Sequence, residues 1–175
     1  MIEFRQAERG DAEAVALLHA RSWRESYRGS FTDAFLDGDL EGERIGVWQD
    51  RLGSPKADQF VELALEGDAL RGFICVYGGE DAEWGSFIDN LHVASAAKGR
   101  GLGAALMKRT AAHLDRHHPD AGIYLWVLEA NAPARGFYER LGARNAGVTT
   151  METHGGAMVR SCRYTWPDPR SLRDA

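Results

Sequence analysis

Near the start of the chain, apolar residues recur first at every second position and then at helical spacing. Residues 2–6 alternate apolar and polar side chains, which predicts a short strand. Apolar residues then recur every three or four positions, which predicts a helix that follows Asp11 as its N-cap and continues to about Tyr27. Further apolar groups bounded by glycines predict two shorter helices, around residues 31–36 and 44–52.

In the middle of the chain the apolar period shortens to two, which is typical of strands. Residues 60–66 and 70–77 flank a Gly-Asp turn, and this arrangement predicts a β-hairpin. A third strand is predicted over residues 84–93. A glycine-rich turn follows it and leads into a helix over about residues 101–117, so strand, turn and helix are consecutive.

The next strand and helix have clearer boundaries. Residues 123–128 form an unbroken apolar run, which is typical of a strand buried on both faces and indicates a parallel sheet element. The helix after it has Asn131 as a candidate N-cap, Pro133 in its first turn and Gly142 at its end.

Two more strands are predicted, around residues 146–152 and 157–166. The pattern as a whole predicts a mixed α/β domain over residues 1–167, followed by a polar tail over residues 168–175. Composition agrees with this, because 175 residues with 44% hydrophobic and 27% charged side chains are typical of one globular domain.

Charge and cysteine content exclude several classes of function. The net charge of −5 offers no basic field for a phosphate backbone, so we expect no nucleic-acid partner. No apolar run approaches the roughly 18 residues of a membrane span, so we expect no membrane partner and a cytoplasmic location. Cys75 and Cys162 lie in apolar runs, which favours buried, reduced thiols over a catalytic cysteine.

The glycine-rich turn, Lys98-Gly-Arg-Gly-Leu-Gly, is the first feature that points to chemistry. Unpaired N–H groups and the helix dipole at such a turn suit a phosphate or pyrophosphate. No Ser or Thr follows a lysine in Walker spacing, which disfavours an NTPase. Leu106 stands where the dinucleotide-binding pattern needs its third glycine, which disfavours a dehydrogenase. A purely structural turn that shortens the strand–helix connection is the alternative.

Two segments together resemble the GNAT superfamily of N-acyltransferases. In the segment Leu91 to Met107, Lys98, Gly101 and Gly103 fall on the family's acetyl-CoA motif, [Gln/Arg]-x-x-Gly-x-[Gly/Ala], with Lys in place of Gln or Arg. The segment Asn131 to Ala143 is similar to the family's N-x-x-A-x-x-F-Y-x-x-L-G-F, and departs only at its last residue. The resemblance covers about residues 2–166.

The resemblance implies a GNAT fold: a twisted mixed sheet of about six to seven strands, splayed between strands 4 and 5 and flanked by about four helices. It also implies an acetyl-CoA-dependent N-acetyltransferase without a metal. The residues that it places against acetyl-CoA are Leu91, His92, Val93, Lys98, Gly99, Arg100, Gly101, Leu102, Gly103, Ala104, Asn131 and Tyr138.

Transfer of an acetyl group to an amine needs an acid for the thiolate and a base for the amine. By resemblance Tyr138 is the acid; the alternative is an aromatic side chain that only packs its helix. By resemblance Asp89 is the candidate base, because it lies four residues before Val93, where some polyamine-acetylating members of the family carry an acidic residue; a surface aspartate is the alternative. Glu83, Glu129 and His92 are weaker candidates, since strand alternation places His92 on the opposite face from Asp89. An ordered water chain can replace a single base.

The resemblance places the acceptor side of the cleft on the segment that links the first helix to the second strand. Trp23 and Tyr27 present two aromatic rings at i, i+4, which suits a cationic amine by cation–π contact or, equally, packing in the core. The sequence leaves the acceptor open between small-molecule and peptide amines. A non-catalytic acyl-CoA sensor is the alternative function. Homodimers are common in such folds, but the sequence carries no interface signal.

Overall fold

The structure, a computed structural model, describes all 175 residues. Seven strands form one sheet, and six α-helices flank it. The strands are β1 (Ile2–Gln6), β2 (Gln59–Glu66), β3 (Ala69–Asp81), β4 (Gly85–Val93), β5 (Ile123–Leu128), β6 (Arg144–Glu152) and β7 (Met158–Trp166). The helices are α1 (Ala12–Ser26), α2 (Asp33–Asp37), α3 (Leu40–Gly53), α4 (Leu102–His117), α5 (Ala132–Arg140) and α6 (Pro169–Arg173).

The strand order is β1-β2-β3-β4-β5-β7-β6, and every pair is antiparallel except β4 and β5. The predicted mixed α/β class is therefore confirmed, as is the parallel element that the apolar run of β5 indicated. Four helices have nine or more residues, and α2 and α6 have five each. The resemblance implied about four flanking helices, which agrees with the four longer ones.

The two parallel strands separate soon after they begin. β4 and β5 pair only at Ser86 with Ile123 and at Phe87 with Tyr124. Beyond Phe87, β4 stays paired with β3 while β5 stays paired with β7, so the two halves of the sheet diverge. This confirms the expected splay between strands 4 and 5, and it opens a wedge in the middle of the sheet.

Both faces of the sheet are covered. Phe73 and Ile74 are adjacent in β3 and fully buried, and because strand side chains alternate they enter different cores. Phe73 packs with Trp48 of α3 and the apolar stripe of α1, whereas Ile74 packs with Leu106 and its neighbours in α4. The sheet thus separates two helical layers, and the wedge lies between them.

The end of the chain differs from the predicted polar tail. Residues 169–173 form α6, which Asp168 caps by accepting a hydrogen bond from the Ser171 N–H. Leu172 is fully buried in the core beside α4. A single apolar residue in a five-residue helix carries too short a pattern for a periodicity argument.

Asp11 occupies the N-cap position of α1 but does not cap it with its side chain. Its carboxylate accepts two hydrogen bonds from the Arg5 guanidinium, at 2.7 and 2.8 Å, and one from the Glu8 N–H. The predicted N-cap position is confirmed, but the carboxylate ties the start of the helix to β1 instead of accepting a hydrogen bond from the first turn. Cys75 and Cys162 are free and buried, as predicted. None of the helices has both the length and the apolar composition of a membrane span.

Candidate active site

The wedge between β4 and β5 holds a cleft of about 580 Å³. Its walls come from the end of β4, the glycine turn, the first turn of α4 and the buried side of α5. All the residues that the sequence placed against acetyl-CoA line it, except Arg100. The structure thus brings these residues together; their part in binding acetyl-CoA stays a prediction.

Arg100 turns away from the cleft. Its guanidinium pairs with Glu66 at the end of β2, with Nη2 to Oε1 at 2.9 Å. Lys98, in contrast, lines the cleft. In this structure Arg100 thus pairs with a neighbouring strand and does not line the cleft; its contact with acetyl-CoA stays a prediction.

The turn before α4 presents free backbone donors to the cleft. Gly101 is the N-cap and has a φ of +77°, a left-handed conformation that glycine adopts without strain. The first α-helical hydrogen bond runs from the Ala105 N–H to the Gly101 carbonyl. The N–H groups of residues 102–104 consequently have no backbone acceptor. They suit a phosphate group at the positive end of the helix dipole.

The end of β4 also directs backbone groups into the cleft. The Ala94 N–H donates to the Arg71 carbonyl of β3, so alternation along the strand turns the backbone of His92 and Ala94 toward β3. The N–H and C=O groups of Leu91 and Val93 point the other way, where β5 has diverged. The splay leaves these groups free for an extended ligand.

A second cavity, of about 290 Å³, lies on the α1 and α3 side of the wedge. We call it the acceptor cavity. The residues that line both it and the cleft are Tyr27, Leu91, His92, Trp126 and Tyr138. The two spaces therefore meet at a junction lined by two tyrosines and a histidine.

Tyr138 reaches the junction from α5. Its ring is half-buried and packs beside Phe137, and its hydroxyl has no hydrogen-bond partner within the protein. Burial, with a smaller contribution from Tyr27, raises the pKa of the Tyr138 hydroxyl above its ordinary value. The hydroxyl is thus protonated at neutral pH and can donate a hydrogen bond to a group in the cleft.

Strand β4 contains a β-bulge at Asp89. Cys75 of β3 pairs with Asn90, but the next residue, Val76, pairs with Ile88. Asp89 is therefore an extra residue in the ladder, and the bulge shifts the alternation of side chains by one position. The regular period-two pattern of the sequence gives no sign of this shift.

The bulge changes the face on which Asp89 lies. The Nη1 group of Arg51 in α3 donates to Asp89 Oδ2 at 2.6 Å and to Asn90 Oδ1 at 2.9 Å, although neighbouring strand residues normally point to opposite faces. His92 contacts Ser22 of α1 on that same side. The expectation that Asp89 and His92 lie on opposite faces is wrong, and both line the acceptor cavity.

The candidate bases differ in their surroundings. Asp89 is bound by Arg51, so its charge is already compensated. Glu129 pairs with Arg160 outside both cavities, and Glu83 is exposed in the turn before β4. His92 is 8% exposed, lines both cavities, and holds its Nδ1 2.8 Å from the Ser22 hydroxyl. His92 is thus the base candidate located at the junction.

The family model for the acetyltransferase (GNAT) family matches residues 19–143, which is more than half of the chain. The chain belongs to this family. A Mycobacterium tuberculosis protein named a probable N-acetyltransferase is 32% identical over 154 residues, which cover 79% of this chain and 78% of that protein. The GNAT family member is accordingly an acyltransferase.

Solved structures share the fold. A GNAT-family acetyltransferase from Desulfovibrio desulfuricans has a TM-score of 0.72 at 21% identity, covering 95% of this chain and 99% of that one. The PaiA N-acetyltransferase of Thermoplasma acidophilum, solved with coenzyme A, has a TM-score of 0.69 at 16% identity, covering 92% of this chain and 98% of that one. The GNAT fold expected from the sequence is therefore confirmed.

In this GNAT chain two histidines are buried side by side behind β4. The rings of His19 and His92 lie 4.6 Å apart, and His19 Nδ1 accepts a hydrogen bond from Trp48 Nε1 at 3.0 Å. His19 Nε2 is buried without a partner. Burial lowers the pKa of His92 to about 3, with Lys98 and Arg44 acting in the same direction. Burial likewise lowers the pKa of His19 well below its ordinary value.

These pKa shifts predict that the acetyltransferase loses stability in mild acid. Between about pH 6.5 and pH 3 the unfolded chain binds protons that the native His19 and His92 do not, so stability falls as pH falls. His92 alone accounts for about 2 kcal/mol between pH 7 and pH 5, since a full pH unit is worth about 1.4 kcal/mol. Chemical denaturation at several pH values measures this slope. An unchanged slope in His92→Gln would contradict the assignment.

Trp23 and Tyr27 line the acceptor cavity, but they also belong to an aromatic cluster with Phe31. Trp23 is 6% exposed, and the Arg44 guanidinium lies 4.5 Å from its ring centroid. The face of Trp23 thus already carries a cation of the protein itself. The expectation that it receives a cationic amine by cation–π contact conflicts with this arrangement.

Sequence reasoning missed most of the acceptor cavity. Arg44 and Arg51 are seven residues apart in α3, which places them on one helix face, and this spacing was a usable signal. The residues from 151 to 154, at the end of β6, form another wall. His154 there stacks on Phe35 of α2. Nothing in the local sequence predicts a contact between segments so far apart in the chain.

Proposed function

We propose that this chain transfers the acetyl group of acetyl-CoA to a primary amine by direct attack, with both substrates bound at once. The observation that carries the proposal is the junction, where the cleft and the acceptor cavity share Leu91, His92 and Tyr138. Two substrates that enter from opposite sides would bring their reacting atoms together there. Direct transfer then needs no covalent enzyme intermediate, and the buried Cys75 and Cys162 offer no nucleophile.

The cleft suits acetyl-CoA, which supplies the acyl group as a thioester. The free N–H groups of residues 102–104 and the lysine at position 98 would hold the pyrophosphate. The backbone of Leu91 and Val93 would extend the sheet by hydrogen bonds to the pantetheine arm and the acetyl carbonyl. A backbone N–H donates to the carbonyl oxygen as it gains charge.

Tyr138 would serve the leaving group. The amine nitrogen bonds to the carbonyl carbon while the carbon–sulfur bond breaks, and the electron pair of that bond leaves on sulfur. The Tyr138 hydroxyl, kept protonated by its raised pKa, donates a hydrogen bond or its proton to this thiolate. Its unpartnered hydroxyl supports this role, since no protein acceptor competes for it.

His92 would accept the proton of the attacking amine. The amine nitrogen becomes more acidic as its bond to carbon forms, and the lowered pKa of His92 keeps the imidazole neutral at pH 7, in the form that can accept a proton. Ser22 holds Nδ1 and leaves Nε2 without a protein partner. Asp89, acting directly or through water, is the alternative, although Arg51 compensates its charge.

Replacement of each candidate distinguishes the two. We expect His92→Gln to lower kcat at pH 7 by about a hundredfold, the low end for loss of a general base, and Asp89→Asn to lower it less. Steady-state kinetics at pH 7 and pH 9.5 measure both, because more free amine is already neutral at the higher pH. A larger loss in Asp89→Asn that is partly rescued at pH 9.5 would reassign the base to Asp89.

Release of the CoA thiol tests the proposed function itself. Purified protein is mixed with acetyl-CoA and each member of an amine panel, and a thiol reagent follows free CoA. Amine-dependent release, with the acetylated amine confirmed by mass spectrometry, is the expected result. Tight binding of acetyl-CoA without release for any amine would instead support the acyl-CoA sensor.

A further inference from the structure

A buried arginine in the acceptor cavity is not explained by the chemistry of acetyl transfer. The side chain of Arg44 is 4% exposed and lines the cavity. Its Nε and Nη2 groups donate to Glu43, which is 41% exposed on the outer side. Nη1 has no acceptor within the protein and is not among the buried unpartnered atoms. Its N–H groups are therefore free to bind an anionic or carbonyl oxygen of a ligand in the cavity.

Two arginines line the cavity, and both are paired with a carboxylate. Arg51 donates Nη1 to Asp89 and Asn90, and because Asp89 also lines the cavity, a ligand carboxylate at Arg51 would face a like charge. Glu43, the partner of Arg44, does not line the cavity. Glu152 is exposed at the opening of the cavity. The charge of Arg44 also acts inside the cavity, since it contributes to lowering the pKa values of His92 and His154.

The size and walls of the cavity define the rest of the ligand. A volume of about 290 Å³ is near the lower limit of small-molecule sites. The rings of Trp23, Tyr27 and Phe31 form an apolar wall beside Arg44. An acceptor that fits therefore combines an amine directed to the junction, a carboxylate and a medium-sized apolar side chain.

We infer that the acceptor of this enzyme is a free α-amino acid with an apolar side chain, whose carboxylate binds the Nη1 edge of Arg44. This inference rests on the proposed function and specifies its substrate class. Arginine suits the task, because its rigid planar donors match the geometry of a carboxylate and are always charged.

Matched pairs of acceptors test the inference. Phenylalanine, leucine and methionine are each compared with the amine that lacks only the carboxylate, using kcat/KM from CoA release. We expect the native protein to favour the amino acid. We expect the substitution Arg44→Met to lower kcat/KM for the amino acid by about ten- to a hundredfold more than it lowers kcat/KM for the matching amine. This range corresponds to the loss of one charge-assisted hydrogen bond. Arg21→Met, which removes an exposed arginine outside both cavities, is the matched control. It should leave kcat/KM unchanged for both the amino acid and the amine.

A second measurement uses the unaltered protein, in case Arg44→Met does not fold. We expect 3-phenylpropanoate, which lacks the amine, to compete with the acceptor at least tenfold better than 3-phenylpropanamide. Equal inhibition by the two compounds, or equal losses for amino acid and amine in Arg44→Met, would overturn the inference. Acetylation of amines without a carboxylate preference would leave the proposed function intact. Absence of transfer to every acceptor would instead refute the proposed function.

Discussion

Gly101→Asp is expected to weaken CoA binding at least a hundredfold. Position 101 is the N-cap of α4 beside the free N–H groups, and a Cβ added there has no atom beyond its chain neighbours within 4 Å, so a side chain has room beside the cleft that Gly101 lines. Two unit charges about 4 Å apart interact by roughly 1 kcal/mol in water and roughly 4 kcal/mol near a protein surface. At the protein-surface value, repulsion from even one phosphate costs about 4 kcal/mol, which exceeds two factors of ten in affinity.

The variant Gly101→Asn distinguishes the effect of the added charge on CoA affinity from the effect of the added side-chain volume. Asn and Asp have the same shape and both tolerate the positive φ of +77° at this position. We expect Asn to weaken binding about tenfold or less, and we expect the difference from Asp to shrink as salt screens the charges. Gly67→Asp, at a positive φ in the distant β2–β3 turn, controls for loss of stability. Calorimetric titration measures the CoA affinity of each variant. Equal affinities for the Asp and Asn variants would show that the pyrophosphate does not bind at this turn.

The second large effect is expected in Tyr138→Phe. We expect kcat to fall by about ten- to a hundredfold while CoA affinity and thermal stability stay nearly unchanged, because the hydroxyl acts mainly in the transition state. Loss of an acid typically costs about 10²–10⁴ in rate. The lower end applies here, because a thiol with a pKa near the cysteine value of about 8.5 is already a fair leaving group.

Tyr124→Phe is the matched control for Tyr138→Phe. Tyr124 lies in β5, stacks on Phe87 and lines neither cavity, so removal of its hydroxyl should leave kcat unchanged. Steady-state kinetics, CoA titration and thermal melting on both variants make up the measurement. Full activity in Tyr138→Phe, or parallel losses of activity and stability, would assign Tyr138 to packing alone.

The parts of the site that lie close together in sequence could be predicted from it. The turn from Lys98 to Gly103 and the helix that starts after Asn131 each form within one short segment. Asn131 indeed caps α5 by accepting a hydrogen bond from the Ala134 N–H at 3.2 Å. Local patterns determine such features, because a cap or a glycine turn needs only its immediate neighbours in the chain.

The orientation of individual side chains was less predictable. Alternation along β4 predicted the wrong face of the sheet for Asp89. The β-bulge inserts one residue into the strand, and this reverses the alternation of side chains on either side of it. The bulge arises from the pairing of β4 with β3, which the sequence of β4 alone does not show. Arg100 had the right sequence position for a phosphate contact, but Glu66 of another strand binds it. Ion pairs of this kind depend on which strands become neighbours, and a single sequence does not contain that information.

The sequence by itself determined the family, the order of the seven strands and the first five helices, and the glycine turn at the N-terminus of α4. Only the tertiary structure determined the position and the lining residues of the acceptor cavity. Its walls come from α1, α3, β4 and the end of β6, which are far apart in the chain, and it contains Arg44 and His92 as buried groups. The physical reason is that backbone patterns form through local contacts, whereas the charge and shape of a cavity arise from side chains that long-range packing brings together.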